Sequence, residues 1–256
     1  MKERYGDIST RTDGHVALLE IDRPPHNHVT VTLMKDLADA LFDVDAEKAL
    51  RVSLLMSAGK SFCAGADFAA RDSVGDGGTG SLYEQAVRLF STRKPVVAAV
   101  QGAAIGAGLG LALAADFRVA APEARFSANF VKLGFHPGFG ITATLPRLVG
   151  AQKAALMCLT GRRIKAEEAL GWGLVDDVVP QERLRETALA LARELAENAP
   201  LAVEATRATL RADIAKEVKA QTDRELVIQT ALRKTADFAE GIRAVAERRP
   251  GNFTGT

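Results

Sequence analysis

Between Lys94 and Asp116 the chain runs KPVVAAVQGAAIGAGLGLALAAD, with no polar side chain from Gly102 to Ala115. This stretch constrains the fold more than any other. Residues 96–100 are a short valine-rich run after a proline, the pattern of a buried strand. Residues 106–115 are too apolar all round for a surface helix, so a helix here must be enclosed on nearly every side. The 14 residues from 102 to 115 fall short of the ~20 needed to cross a bilayer. Gly102, Gly106, Gly108 and Gly110 mark the change from strand to helix, where they admit another backbone or a ligand at close range. The free N–H groups and positive end of such a helix suit an oxygen that carries or develops negative charge. Two readings stay open here: tight helix–sheet packing, or a site. A nucleotide loop is not supported, because Leu111 stands where GxGxxG needs its last glycine and no GK[ST] follows.

The flanking sequence predicts alternating strands and helices. Residues 15–21 (HVALLEI) read as a strand that ends in a proline turn over 22–28. Thr30 or Thr32 can cap a helix carrying Leu33, Leu37, Ala40, Leu41 and Val44 at helical spacing. Residues 52–56 read as a second buried strand. The glycine-rich stretch 69–80 reads as a loop, and Ser81 as the cap of a helix to about Thr92. Short strands are expected at 117–121 and 124–127, a helix from about Ile141, and an irregular connection over 161–180 with a short helix at 166–170. Beyond Pro180 the pattern is long amphipathic helices up to Arg249. The order implies an α/β core followed by a helical tail.

Charge excludes some partners. With 33 basic and 32 acidic residues the net charge is +1, so no global field favours nucleic acid or an anionic membrane. Two cysteines, Cys63 and Cys158, form no disulfide framework and no metal spacing, which points to a reducing cytoplasmic setting. The N-terminus MKERYGDIST has no apolar targeting segment. His26 and His28 make an HNH pair in the proline turn, but two histidines without further ligands do not make a metal site.

A second stretch sharpens the choice left open above. Residues 60–68, KSFCAGADF, again place small residues and a glycine directly after a strand. Two such turns facing each other could grip one oxygen from two sides with backbone N–H groups, the geometry of an oxyanion hole.

At this point the chain resembles the crotonase, or enoyl-CoA hydratase/isomerase, superfamily. RPPHNHVT resembles its RPxxxNAL turn, KSFCAGAD its AFCAGAD signature, the 94–116 stretch its KPVIAAVNGxAxGGGxExAxxCD signature, and ARFSANFVKLGFHPGFG its AxFxxPExxLGxxPGxG segment; ERRPGNFTG resembles its end. The resemblance implies an α/β spiral of ββα units over residues 1–195, with a C-terminal helical trimerisation region over 196–256. It implies an acyl-CoA thioester partner, no separate cofactor because CoA belongs to the substrate, and a homotrimer or homohexamer. By position, the oxyanion N–H groups fall on Ala66 and Ala107, and Asp67 would hold the first loop. Pro25, His26, Ala64 and Phe68 fall where the family contacts CoA. Gly106, Gly110, Phe130, Leu133 and Gly138 fall around the acyl group. Phe253, with Arg248 or Arg249, resembles an adenine-side contact supplied near a neighbouring subunit.

The departures matter as much. The resemblance places the two glutamates of the family's hydratases at Gly110 and Phe130, and the aspartate of some isomerases and dehalogenases at Gly138. None of the three is a carboxylate here. His136 is the remaining titratable candidate in the loop, with Tyr83, Glu84, Asp72 and Asp76 behind it. Phe130 and Phe135 suggest an apolar acyl pocket. Two functions are therefore open: an enzyme working through enolate chemistry with weak or altered hydration, or a non-catalytic acyl-CoA binder. Gly110→Glu with Phe130→Glu is expected to raise hydration.

Overall fold

The computed structural model describes residues 1–66 and 78–256. Its strands are β1 (Arg4–Tyr5), β2 (Ile8–Asp13), β3 (Val16–Ile21), β4 (Val52–Ser57), β5 (Val96–Val100), β6 (Ala103–Ile105), β7 (Phe117–Ala120), β8 (Arg125–Ser127), β9 (Ile164–Lys165) and β10 (Asp177–Val178). Its helices are α1 (Val31–Ala46), α2 (Gly78–Phe90), α3 (Ala107–Ala114), α4 (Ile141–Thr160), α5 (Ala166–Gly171), α6 (Leu184–Glu197), α7 (Pro200–Leu210), α8 (Ile214–Leu232) and α9 (Ala236–Ala246). A 3-10 turn, Asn129–Leu133, joins β8 towards α4.

Seven strands form one sheet in the order β1-β2-β3-β4-β5-β7-β10, and three form a second in the order β6-β8-β9. From β3 to β10 every neighbour in the large sheet is parallel. The strand-then-small-residue turns explain the two layers. After β5 the chain crosses to β6 of the small sheet and then enters α3. After β7 it crosses to β8 and then to the 3-10 turn. These are the ββα units expected from the resemblance, and the fold is the crotonase type of α/β spiral.

The valine-rich β4 and β5 are buried at every position, because the large sheet is covered on both faces. One face, with Leu19, Ile21, Leu55, Ala98 and Val100, packs in the main core with α1 and α3. The other, with Val16, Val52, Leu54, Val97 and Val119, packs against Leu184, Ala188, Ala192 and Ala196 of α6. The apolar stripe of α6 is thus satisfied inside the chain. On α7 the outcome differs: Leu201 and Leu210 are 80% and 78% exposed.

Several boundaries shift. Thr30 is the cap of α1, its hydroxyl accepting from the Leu33 N–H. Of the stretch read as a loop, residues 69–77 lie outside the described residues. Gly78–Gly80 already belong to α2, so Ser81 is inside the helix and not its cap. The connection over 161–180 holds β9, α5 and β10, strands of two residues each and too short for periodicity to reveal.

The apolar α3 is held from its C-terminal end. The Arg118 side chain, 2% exposed, donates to the carbonyls of Ala115 (2.8 Å), Ala112 (3.3 Å) and Leu174 (2.7 Å). Asp116 accepts from the Val96 N–H (2.8 Å) and pairs with Arg207 of α7 and with Arg211, the residue that follows it. Those last-turn carbonyls would otherwise be buried without donors. With its C-terminal end occupied in this way, α3 presents its N-terminal end to the cavity described next.

Candidate active site

The two turns read as a possible oxygen grip do meet. The Cys63 N–H donates to the Ala103 carbonyl (2.8 Å) and the Ile105 N–H to the Cys63 carbonyl (3.1 Å). This strand-like pairing is possible because two glycines leave room. A Cβ on Gly102 would sit 1.9 Å from the Lys60 carbonyl oxygen, and one on Gly108 2.0 Å from that of Cys63. Neither position tolerates a side chain without moving backbone. The pairing sets residues 64–66 beside the start of α3: a Cβ on Gly65 would lie 2.7 Å from the Ile105 carbonyl oxygen and 3.8 Å from the Ala107 nitrogen.

The 58–66 segment is itself clamped. Asn27, buried in the proline turn at a positive φ, donates from Nδ2 to the Ala58 and Ser61 carbonyls, each at 2.8 Å. Gln101 Nε2 reaches the Ser57 carbonyl at 2.9 Å from the other side. The Ala64 N–H bonds to His26 and the Val29 N–H to the Gly65 carbonyl. Every backbone group fixed this way is unavailable to a ligand, which makes the unfixed ones informative. Among the described residues, neither the Ala66 N–H nor the Ala107 N–H has a protein acceptor. Ala107 opens α3, where the first N–H groups lack an intrahelical partner and the dipole is positive.

Both N–H groups border a cavity of about 530 Å³, a size that suits a small-molecule site. The structure brings His26, Ala64, Ala66, Gly106, Ala107, Phe130, Leu133 and Gly138 to its wall. Gly110 lies just behind, one turn into α3. Asp67 and Phe68 lie outside the described residues, as do Asp72 and Asp76. Pro25 is exposed on the turn beside His26. Phe253 is 43% exposed and stacks on Gly251 away from the cavity. Glu84 is exposed and does not line it.

His136 is separated from the rest. Its Nδ1 lies 2.7 Å from the Pro137 carbonyl, and the residue lines a different depression with Val131, Thr142 and Leu159. Its loop turns the ring outward while its backbone carbonyl takes the Gln229 Nε2 bond at 2.7 Å.

The positions where the resemblance expects carboxylates are filled by other groups. A Cβ on Gly110 would meet three atoms of Phe139 at 2.5, 2.7 and 2.8 Å, and Phe139 is 1% exposed. A Cβ on Gly138 would fall 1.9 Å from the Tyr83 hydroxyl. Phe130 is buried with its ring edge-on to Phe135 at 5.5 Å, and Phe135 meets Phe238 at 5.3 Å. Aromatic side chains thus take the volume at all three. Among the described lining residues there is no aspartate or glutamate; the ionisable ones are His26, His28, Tyr83, Arg125, Arg163 and Arg233. Burial pushes the Tyr83 phenol well above its usual range, and its hydroxyl donates to Gln229 Oε1 at 2.9 Å. It is therefore held as a neutral donor and not as a base.

Sequence reasoning quoted Asn27 and Phe139 only as letters of longer motifs, and it passed over Gln229 and Arg233. Asparagine in a proline turn and an aromatic in PGFG were usable signals. Nothing in the local pattern of α8 marks Gln229 or Arg233, which reach the cavity because α8 packs on α2 and α4. Behind them Glu225 accepts from the Gly140 N–H (2.9 Å) and the Thr142 hydroxyl (2.8 Å) at the start of α4. Burial raises its carboxyl to about 7.

Spiral and cavity together define a crotonase-type α/β protein with a small-molecule site at a helix N-terminus. A sequence model of the enoyl-CoA hydratase/isomerase family matches residues 11–256. Carnitinyl-CoA dehydratase of Salmonella arizonae is 36% identical over 255 residues, covering 95% of this chain and 96% of that one. The 1,2-epoxyphenylacetyl-CoA isomerase of Escherichia coli is 34% identical over 257 residues, covering 97% and 98%. The crystal structure of an enoyl-CoA hydratase/isomerase from Pseudoalteromonas atlantica superimposes with a TM-score of 0.89 at 33% identity, covering 97% of this chain and all of that one. The chain belongs to the enoyl-CoA hydratase/isomerase family and is an enzyme of that family. No helix among the described residues is long and apolar enough to cross a membrane, and no cluster of three metal-ligating side chains occurs among them.

Proposed function

We propose that this enzyme binds an acyl-CoA thioester with its carbonyl oxygen between the N–H groups of Ala66 and Ala107, and stabilises the enolate formed there. The observation that carries the reading is the pair of acceptor-free N–H groups on facing turns, one of them at the positive end of α3. When a proton leaves the α-carbon, or a nucleophile adds at the β-carbon, charge moves onto the thioester oxygen. Preset donors then stabilise that charge more than they stabilise the neutral carbonyl. The methyl of Ala107 narrows the site without removing its N–H. CoA would leave past Ala64 and the His26 turn, with Pro25 beside it. CoA is part of the substrate, and no separate cofactor is required.

Hydration of a simple 2-enoyl-CoA is expected to be slow. Adding water needs a base for the nucleophile and an acid for the α-carbon, each contributing ~100- to 10,000-fold. Gly110, Phe130 and Gly138 supply neither, and His136 is directed elsewhere. The remaining chemistry is an isomerisation, hydrolysis or elimination in which the substrate or a residue outside the described set carries the proton. A turnover screen over a panel of CoA thioesters, following both free CoA and mass-shifted products, tests this. Hydration of crotonyl-CoA at a rate typical of a dedicated hydratase would refute it.

The C-terminal region 196–256 serves assembly in this reading, as a homotrimer or homohexamer. Leu201, Leu210 and Val227 (72% exposed) support it, since large aliphatic side chains this bare are the material of an interface. Light scattering that finds a monomer at micromolar concentration would overturn this part.

A further inference from the structure

The cavity is apolar over most of its wall, and of the three arginines that line it, Arg125, Arg163 and Arg233, the last stands among aromatic rings. Arg233 caps the C-terminus of α8 and lines the same wall as Tyr83, Gln229, Phe135 and Gly138. Its guanidinium lies over the rings of Phe135 and Phe238, at 5.8 and 6.0 Å from their centroids. Its Nε is buried and donates to nothing. Among the described residues the side chain has neither a hydrogen-bond acceptor nor a carboxylate partner. Its polar neighbours are already committed to each other. The Tyr83 hydroxyl donates to Gln229 Oε1, and Gln229 Nε2 donates to the His136 carbonyl.

The buried Nε of this half-buried side chain is costly to leave unpaired unless a ligand supplies an acceptor. A guanidinium keeps its charge in proteins and presents donors in a planar fork that matches a carboxylate. Two aromatic faces fix its plane and remove rotational freedom, so little further ordering is needed on pairing. Desolvation already works against its charge, and an anion brought into the cavity would relieve that. A plain alkyl chain would instead cover the guanidinium and leave its donors unpaired, which is the larger penalty.

We infer that the acyl group carries a carboxylate of its own, which pairs with Arg233 at the end of the cavity bounded by Tyr83 and Gly138. This rests on the reading of the cavity as an acyl-CoA site and narrows its substrate class to CoA thioesters of dicarboxylic acids. The phosphates of CoA are the competing source of negative charge, and matched pairs of ligands separate the two.

The test is calorimetric binding of saturated thioesters in pairs of equal chain length: succinyl- with butyryl-CoA, glutaryl- with pentanoyl-CoA, adipyl- with hexanoyl-CoA. In the wild type the carboxylated member of at least one pair binds ~10- to 100-fold more tightly, the range of a charge-assisted hydrogen bond. Arg233→Met abolishes that preference and leaves the alkyl member within about twofold, while Arg233→Lys, keeping charge but losing the fork, restores part of it. Unchanged thermal unfolding of both variants shows that the loss is local. Equal affinity within every wild-type pair overturns the inference. So does an equal loss for both members in Arg233→Met, which would assign the arginine to a CoA phosphate. Either of those results leaves the thioester reading standing, whereas failure of all six ligands to bind removes both.

Discussion

Replacing Gly110 by alanine is the smallest change that tests how the cavity is built. In the middle of an exposed helix it would stabilise the protein by about 1 kcal/mol. Here the added methyl carbon would stand 2.5 to 2.8 Å from three atoms of Phe139, against the 3.5–4.0 Å of an ordinary carbon–carbon contact. The ring must therefore move by about 1 Å. It has little freedom to do so, being 1% exposed and carried on a residue with φ of 63°. Overpacking of this kind costs about 1–3 kcal/mol, so the clash outweighs the propensity gain or at least cancels it. The expected net change is a loss of about 0–2 kcal/mol, read as a fall of roughly 2–4 °C per kcal/mol in the midpoint of thermal unfolding for a chain of this size. Phe139→Ala removes the obstacle. In a double-mutant cycle Gly110→Ala should then be neutral or stabilising, giving a coupling of roughly 1 kcal/mol or more. A Gly110→Ala protein that melts above the wild-type temperature, or a cycle additive within about 0.5 kcal/mol, would refute the packing argument. The same geometry corrects an expectation from sequence: Gly110→Glu with Phe130→Glu should not raise hydration, because Phe139 occupies the path of the first carboxylate. Only with Phe139→Gly added does that experiment become a test of chemistry.

Other outcomes follow from the same contacts. Ala66→Pro deletes one of the two donors, and a folded variant that binds acyl-CoA as tightly as the wild type would disprove the assignment of the oxygen site. Asn27→Ala leaves the Ala58 carbonyl without its donor and the Ser61 carbonyl with only the longer Gln101 Nε2 bond (3.2 Å) and should cost ~1–3 kcal/mol, seen in denaturant unfolding together with weaker thioester binding; a change in neither would remove Asn27 from the site's support. Glu225 titrates higher in the folded chain, about 7, than its ordinary 4.5, so between those pH values the folded state holds more proton and stability falls as pH rises. Its favourable contribution is complete below 4.5 and lost above 7, so the stability of Glu225→Gln relative to wild type should rise across that window; a flat difference would show the carboxyl to be unperturbed.

Much of the fold was legible because the sequence's strongest signals were local. The valine run at 96–100, the all-apolar 106–115 and the Thr30 cap each match an observed element, since burial on both faces or around a whole helix leaves no polar alternative. What stayed hidden depended on long-range placement. The apolar face of α6 looks the same whether it meets its own sheet or another subunit, and only the packing on Leu54, Val97 and Val119 separates the cases. Similarly, α2 begins three residues before Ser81 at glycines that carry no helix signal, and Gln229 and Arg233 gain meaning only from where α8 crosses the cavity.

The substitutions at the expected carboxylate positions are better understood as one change than as three. Glycine at 110 is required by the Phe139 ring, and glycine at 138 by the Tyr83 hydroxyl. Phe130 continues the edge-to-face series through Phe135 to Phe238, and the last two of these rings hold Arg233. A carboxylate restored at any of the three would therefore have to displace an aromatic group from a packed set. An arrangement that merely lost its acid–base groups would leave space or water where they had been. Here the space is rebuilt around a cation, which argues that the backbone donors were kept for a substrate whose own charge lies farther along the acyl chain.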